Sequence, residues 1–348
     1  MADKTVTVKP SGGDYTTLQG AITGEVAANA NLTAAGMNGI LNIEIGGTWS
    51  SADTTACTVN GFTTDATHYV NIYTSSSARH KGVWSSSYYQ LLVSNATALT
   101  IYDEYVRLDG LQVGKSSSSA NGQGVVYYAG VAAGNALHIS NCIFKQAGNN
   151  SYREPGIYSD DADAVVYMWN TIVYGSGTAD NALNTTVYAY RGTWSIYSCT
   201  VIGGKYGVYY SGATTCTVKN TYAGGTLTED FYRGAGTLAK TNCASEDQSA
   251  DDTSGADETQ SNCVAAAVAL DTDTFVNVTA GSQNFHLAAD GLSPLMGAGV
   301  STTGDSAPLN FTTDIDGDTR DSSWDIGADA WVVAVSSAFN ELYMMFEA

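Results

Sequence analysis

Three groups of side chains in this chain of 348 residues have types and spacings that could carry chemistry. SDDAD places Asp160, Asp161 and Asp163 together, and two carboxylates facing each other across about 5 to 10 Å can act as acid and base on a glycosidic bond. Asp314, Asp316 and Asp318 form D-x-D-x-D, followed by Asp321, Asp325 and Asp329. Alternating carboxylates around a glycine can wrap a hard cation, so Ca2+ is the cofactor this stretch could hold, although the closing Glu of an EF-hand loop is missing. The pairs Tyr88-Tyr89, Tyr127-Tyr128 and Tyr209-Tyr210, with Trp84 and Tyr206, are the third group. Strand alternation sends one ring of each pair outward, where sugar rings stack, and Trp84, Tyr89, Tyr128 and Tyr209 are the candidates. The four histidines show no zinc-site spacing with the cysteines, and His138, between Leu137 and Ile139, is expected to point outward alone.

A repeat positions these residues. LHISNCIF (Leu137 to Phe144), VYMWNTIV (Val166 to Val173), WSIYSCTV (Trp194 to Val201), CTVKNTYA (Cys216 to Ala223) and LAKTNCAS (Leu238 to Ser245) share one pattern: alternating apolar residues, then Asn or Ser, then Cys or Thr. Cys142, Thr171, Cys199, Thr221 and Cys243 follow at steps of 29, 28, 22 and 22 residues, the period of a solenoid with strand-like coils. Alignment stacks Val106, Leu137, Val166, Trp194, Cys216 and Leu238 in one inward column and Leu108, Ile139, Met168, Ile196, Val218 and Lys240 in the next. A lysine breaks the second column, so the stack is expected to loosen there. Asn141, Asn170, Ser198, Asn220 and Asn242 mark the bend, where Asn tolerates the left-handed conformation and its amide can bond to the Asn above and below. Upstream strands are TVTVKP, ILNIEI, YVNIYT and LLVSNATALTIY. Leu18, Ile22 and Val26 behind Thr16 and Thr17 give an amphipathic helix near 15–30 that caps the open end.

Composition agrees and narrows the partners. Glycine (37) and tyrosine (22), with only 4 prolines, suit many short strands and turns. No run of 18 apolar residues exists, so no membrane span is expected, and MADKTVTVK lacks the features of a secretory signal. The 34 acidic residues against 14 basic ones give a charge of −20, which repels nucleic acid and disfavours polyuronate substrates. Cys142, Cys199 and Cys243 sit on alternate coils, about 10 Å apart, beyond disulfide reach, and are expected as separate buried thiols. Cys57 and Cys263 have no place in the pattern, and a bridge between them stays open. The six carboxylates of EDQSADDTSGADE read as a solvated loop.

The opening TVTVKPSGGDYTTLQGAI resembles that of parallel β-helix proteins of the pectin-lyase-like superfamily, and DTDTFVNVTAGSQNFHLAADGLSPLMGAG with TDIDGDTRDSSWDIGADAW resembles a closing segment of such repeat proteins. The resemblance, which covers roughly residues 1–331, implies an all-β, right-handed parallel β-helix with an N-terminal helix cap over 1–270 and an Asp-rich closing segment over 271–331; it stops there, and the residues of 332–348 read as a further apolar segment. Asp160 with Asp161 is superficially similar to the paired acids of polygalacturonase-like enzymes, but the Gly-His-Gly and Arg-Ile-Lys that accompany them do not occur. Methylesterase and pectate-lyase residue sets are missing too.

Past Trp331, Phe339, Leu342, Tyr343 and Phe346 would share one side of a short helix that docks on this chain, on a second copy or on a larger assembly. The leading expectation is a non-enzymatic structural or adhesive module of a larger particle, a capsid or tail component on a phage or other virion surface. The alternatives are a polysaccharide hydrolase or lyase using Asp160, Asp161 or Asp163, and an extracellular or cell-surface glycan-binding module exported by an unseen route. A homo-oligomer is compatible with each.

Overall fold

The structure, a computed structural model, describes residues 3–116, 124–130, 136–146, 155–175, 185–253, 255, 257–288 and 291–331. Its strands form three parallel sheets wound as a β-helix. The first sheet has ten strands, running from Lys4–Val8 through Leu41–Ile45, Val70–Thr74, Val106–Asp109, Ala136–Ser140, Val165–Trp169, Thr193–Tyr197, Thr215–Lys219 and Thr237–Thr241 to Glu258–Ser261. The second and third have seven each, the second from Leu91–Val93 to Ala244–Ser245 and the third from Cys57–Val59 to Glu229–Arg233. Parallel crossovers between L-amino-acid strands wind right-handed, which gives the expected hand.

The inward columns stack as the sequence pattern requires. Val166 pairs with Leu137 and Trp194, and Met168 with Ile139 and Ile196, all fully buried. From the coil of Val106–Asp109 onward, each first-sheet strand ends at one left-handed residue: Gly110, Asn141, Asn170, Ser198, Asn220, Asn242 and Asn262, with φ from +46° to +76°. After the Gly110 bend the buried residue is Leu111; after each of the later bends it is a Cys or Thr that bonds the carbonyl two positions back. Cys142 Sγ donates to Ser140 O (3.1 Å), Thr171 Oγ1 to Trp169 O (2.9 Å), Cys199 Sγ to Tyr197 O (3.3 Å) and Thr221 Oγ1 to Lys219 O (3.1 Å). Only a small side chain with a donor at the γ position serves this buried site, and Cys and Thr both qualify. Cys263 is a further member: its Sγ lies 3.4 Å from the Cys243 amide on the adjacent coil. All six cysteines are free, and Cys57 lies on the first strand of the third sheet, far along the stack from Cys263, so no bridge joins them.

The N-terminal cap forms as expected. Helix α1 (Leu18–Asn29) starts at Thr17, whose hydroxyl accepts the Gly20 amide, and buries Leu18, Ala21 and Ile22 over the first coils. Glu25, also buried, is held by Lys4 (2.7 Å) and the Tyr15 hydroxyl (2.9 Å).

At the other end two expectations are corrected. Lys240 does not loosen its column. It pairs in register with Val218, is fully buried, and donates to Ser249 O (2.6 Å), Asp252 O (2.9 Å) and Glu258 Oε2 (3.1 Å). The acidic segment that supplies those carbonyls is no solvated loop at its centre: Ala250 belongs to the main core, and the Ser249 hydroxyl accepts the Phe231 amide. Residues 246–253 fold over the last coils because the buried ammonium needs their carbonyls.

The Asp-rich segment lies along the side of the solenoid rather than across its end. A second hydrophobic core joins outward residues of the second sheet, Ile143, Ile172, Tyr174, Ile202 and Tyr222, to Phe275, Phe285, Leu287, Leu295, Ile315 and Ile326 of this strap. The corner asparagines hold its edge. Asn170 Nδ2 donates to Thr313 O (2.7 Å), Asn220 Nδ2 to Val300 O (2.7 Å) and Asn242 Nδ2 to Ala298 O (3.0 Å). The expected ladder survives at one step, Asn170 Nδ2 to Asn141 Oδ1 (3.2 Å). Beyond it Ser198 is too short to continue, and the amides turn to the strap.

Candidate functional site

The outward face of the third sheet carries a column of five tyrosines. Strand pairing sets Tyr127 beside Tyr158, Tyr158 beside Tyr188, Tyr188 beside Tyr209 and Tyr209 beside Tyr232. The rings stack on one another with centroids 5.5, 5.2 and 4.9 Å apart along Tyr127, Tyr158, Tyr188 and Tyr209, before an edge-on contact at Tyr232 (4.9 Å). Alternation places the preceding Val126, Ile157, Val187, Val208 and Phe231 inward, so each tyrosine is held by its backbone register and by its neighbouring rings. Tyr158 and Tyr188 are buried, while Tyr127, Tyr209 and Tyr232 are half-buried and present edges and hydroxyls.

Of the expected ligand-binding residues, Tyr209 alone lies in this column. Tyr89 and Tyr128 point the other way and are fully buried in the main core, where Tyr89 packs edge-on against Trp49 (4.9 Å). Strand register sends Tyr128 inward and leaves Tyr127 as the outward member of its pair, whereas Tyr89 turns inward from the connection just before the strand Leu91–Val93. Trp84 stands on the strap side of the molecule, against Gly114 and 5.4 Å from the Lys145 ammonium, so it shares no face with Tyr209. Tyr158, Tyr188 and Tyr232 were missed because their partners in sequence are not tyrosines. Alignment of the third-sheet strands of successive coils would have exposed the column.

SDDAD sits at one end of the column. Tyr127 donates to Asp160 Oδ1 (2.9 Å), and burial together with this bond holds the Tyr127 phenol well above its ordinary range. Asp161 is used by the turn itself: its Oδ2 accepts the Gly130 amide (2.8 Å) and its Oδ1 the Asp163 amide (3.0 Å). Asp163 is exposed. Asp161 could serve as an acid or base only by giving up those backbone bonds.

A second acidic locus lies at the covered end, in an open cleft of about 540 Å³ lined by Thr228, Glu229, Asp247, Gln248, Ser249 and Asp252. Burial, reinforced by the Asp247 charge, pushes Glu229 up to about 7. The same causes push neighbouring Asp230 up to about 7. Asp247 goes down, because the Ser249 hydroxyl and amide outweigh its own burial. Asp230 Oδ2 accepts the Glu246 and Asp247 amides and Oδ1 the Thr226 hydroxyl, so this carboxyl ties the covering segment in place.

D-x-D-x-D does not converge on a cation. Asp314 Oδ1 accepts the amides of Asp316 and Asp318, its Oδ2 accepts that of Ala330, and Asp318 is exposed. The alternation builds a turn. Asp316 instead meets His286 (2.6 Å) and the neighbourhood of Asp329. His138 does face outward but not alone: Tyr167 and Trp169 pack edge-on against it, and burial lowers it to about 4, leaving it neutral. The docking residues Phe339, Leu342, Tyr343 and Phe346 lie outside the described residues. Among the described residues no helix is long and apolar enough to cross a membrane.

No family model matches the chain, and no curated relative does. Among solved structures, pectate lyase Pel9A is similar over 95% of this chain and 97% of that one, at 12% identity and a TM-score of 0.39. At that distance nothing about activity transfers, and the β-helix assignment rests on the strand pairing itself.

Proposed function

We propose that this chain is a non-enzymatic structural and adhesive β-helix module, which meets a neutral glycan along the tyrosine column of its third sheet and serves on the surface of a larger particle such as a phage or other virion. The observation that carries the adhesive part is the in-register column with half-buried Tyr127, Tyr209 and Tyr232. Tyr127 and Tyr209 are three coil steps apart, about 14 Å at about 4.8 Å per step, a span of a few sugar units. Their faces are taken by neighbouring rings, so contact would run through ring edges and hydroxyls. The charge of −20 favours an uncharged glycan over a polyuronate. A structural role is supported by the backbone bonds that occupy both oxygens of Asp161. Attachment to the particle is assigned to the apolar segment with Phe339, Leu342, Tyr343 and Phe346, on its sequence pattern.

The test pairs a neutral-glycan array with co-sedimentation. The native chain should sediment with particles from its source in many copies, and Tyr209→Ala with Tyr232→Ala should weaken glycan retention by about tenfold, since an aromatic contact is worth roughly 0.5–1.5 kcal/mol. Release of new reducing ends would overturn the non-enzymatic reading. Retention unchanged in the double variant would overturn the tyrosine face.

A further inference from the structure

We propose that His286, Asp316 and Asp329 form a binding site for one divalent first-row transition-metal cation of the zinc or manganese class, built within the strap and roofed by the turn at Gly82. One ligand atom from each of the three residues lies within 4.8 Å of the other two. They come from separate parts of the strap: His286 from the strand Asn284–Leu287, Asp316 from the turn begun by Asp314, and Asp329 from the run after Ile326.

Each side chain is oriented as a ligand. His286 Nδ1 bonds Asn284 Oδ1, an acceptor, so the proton sits on Nδ1 and Nε2 is the nitrogen turned to the cluster. Nε2 lies 2.6 Å from Asp316 Oδ2, and the proton now bridging them leaves as the cation enters. Asp316 Oδ1 is a buried oxygen with no hydrogen-bond partner. Asp329 is only 7% exposed, and its Oδ2 accepts the Leu287 amide (2.8 Å), which fixes the carboxylate beside the other two side chains. A buried carboxylate oxygen left without a partner is costly, and a cation held between the three side chains is a partner that satisfies it.

The roof keeps the space open. Gly82 has φ +63°, and a Cβ there would fall 2.3 Å from His286 Nε2 and 3.1 Å from Asp316 Oδ1. The turn is fixed by His80, which accepts the Gly82 amide on Nδ1 (3.2 Å) and donates from Nε2 to Asn141 O (2.8 Å). The nearby cations are engaged elsewhere: Arg79 by Asp109 (2.6 Å), and Arg320 by backbone carbonyls including those of Gly327 and Ala328 (3.0 Å each). One imidazole with two carboxylates suits zinc or manganese, whereas Ca2+ takes six to eight oxygens.

The experiment titrates the full chain, dialysed against chelator, with ZnCl2, MnCl2 and CaCl2 separately by calorimetry, alongside thermal melts. Zinc or manganese should bind one per chain and raise Tm, while calcium should bind at least about tenfold more weakly. His286→Ala and Asp329→Asn should each weaken binding about tenfold or more, as loss of a ligand does, and Asp318→Asn should leave it unchanged. Far-UV circular dichroism checks that the variants fold, and Asp316→Asn replaces any that does not. Three results would each overturn the proposal: no saturable binding of zinc or manganese at 100-fold excess, equal binding by the His286 variant, or calcium binding that depends on Asp318.

Discussion

Replacing Arg320 with methionine keeps the aliphatic stem and removes the guanidinium, and the structure allows the cost to be worked out. The side chain is 5% exposed and crosses from strap to coil. Its Nη2 donates to Gly327 O and Ala328 O at 3.0 Å each and to Asn170 Oδ1 at 3.2 Å, with longer contacts to Thr313, Asp325 and Asp329 carbonyls. Two short bonds from a charged donor contribute about 1.5–3 kcal/mol each. Breaking a buried charge cluster by removing one member costs about 3–5 kcal/mol, and the carboxylates of Asp314, Asp325 and Asp329 surround this one. About 4 kcal/mol satisfies both figures. With an unfolding entropy of about 2.1 cal/mol/K per residue over roughly 300 cooperative residues, that lowers Tm by about 6 °C. Arg320→Lys, which keeps the charge without the fork, should lose about half as much. Calorimetry with limited proteolysis reads both quantities. A fall below about 1 °C would refute the reasoning, since the carbonyls would then be satisfied some other way. An early separate transition with an unchanged main melt would show that the strap folds independently of the coils.

Two further outcomes are expected. Cys199→Thr should be nearly neutral, whereas Thr171→Val should cost about 1 kcal/mol by removing one hydrogen bond to Trp169 O, which keeps the Asn141 amide, measured by urea unfolding. The Asp230 carboxyl is raised to about 7 when folded, so the folded chain holds a proton that the unfolded chain releases near its ordinary value of about 3.9. Its contribution to stability is therefore present at low pH and is lost as pH rises toward 7. Asp230→Asn should raise Tm at pH 8 and flatten the wild-type decline between about pH 4 and 7, and a steeper decline in the variant would contradict the assignment.

Much of the coil architecture was legible because each coil repeats the same physical problem. The Asn bend and the Cys or Thr after it recur in sequence since these corners need a left-handed residue and use a buried γ donor; only the Gly110-Leu111 corner does without the donor. The missed sixth corner, Asn262-Cys263, lacks the apolar run that marks the others, because the polar residues of Glu258–Ser261 form the last, half-covered strand. Lys240 and the acidic segment were misread for one reason: a charged residue in an apolar column signals a defect until the carbonyls of Ser249 and Asp252 are known to meet it. The tyrosine face was half legible, since adjacent tyrosines show that one ring points outward but not which, and Tyr89 and Tyr128 took the inward place. Contacts of long sequence separation were beyond reach. Nothing in DIDGDTRDSSWDIGADAW says that Asp316 meets His286, thirty residues earlier, under a glycine from the third coil.

The strap also acts as a ruler. It bonds the corner of Asn242 through Ala298, that of Asn220 through Val300 and that of Asn170 through Thr313, running back along the stack in measured intervals. Inserting or deleting one coil between Asn170 and Asn242 would displace these anchor points by about 4.8 Å, more than a hydrogen bond tolerates. A plain solenoid can change its number of repeats freely; this one can do so only outside the strapped stretch, toward the helix-capped end. The length of the strapped portion is thus set by the strap, and any partner that reads the tyrosine column reads a spacing that the opposite side of the molecule has fixed.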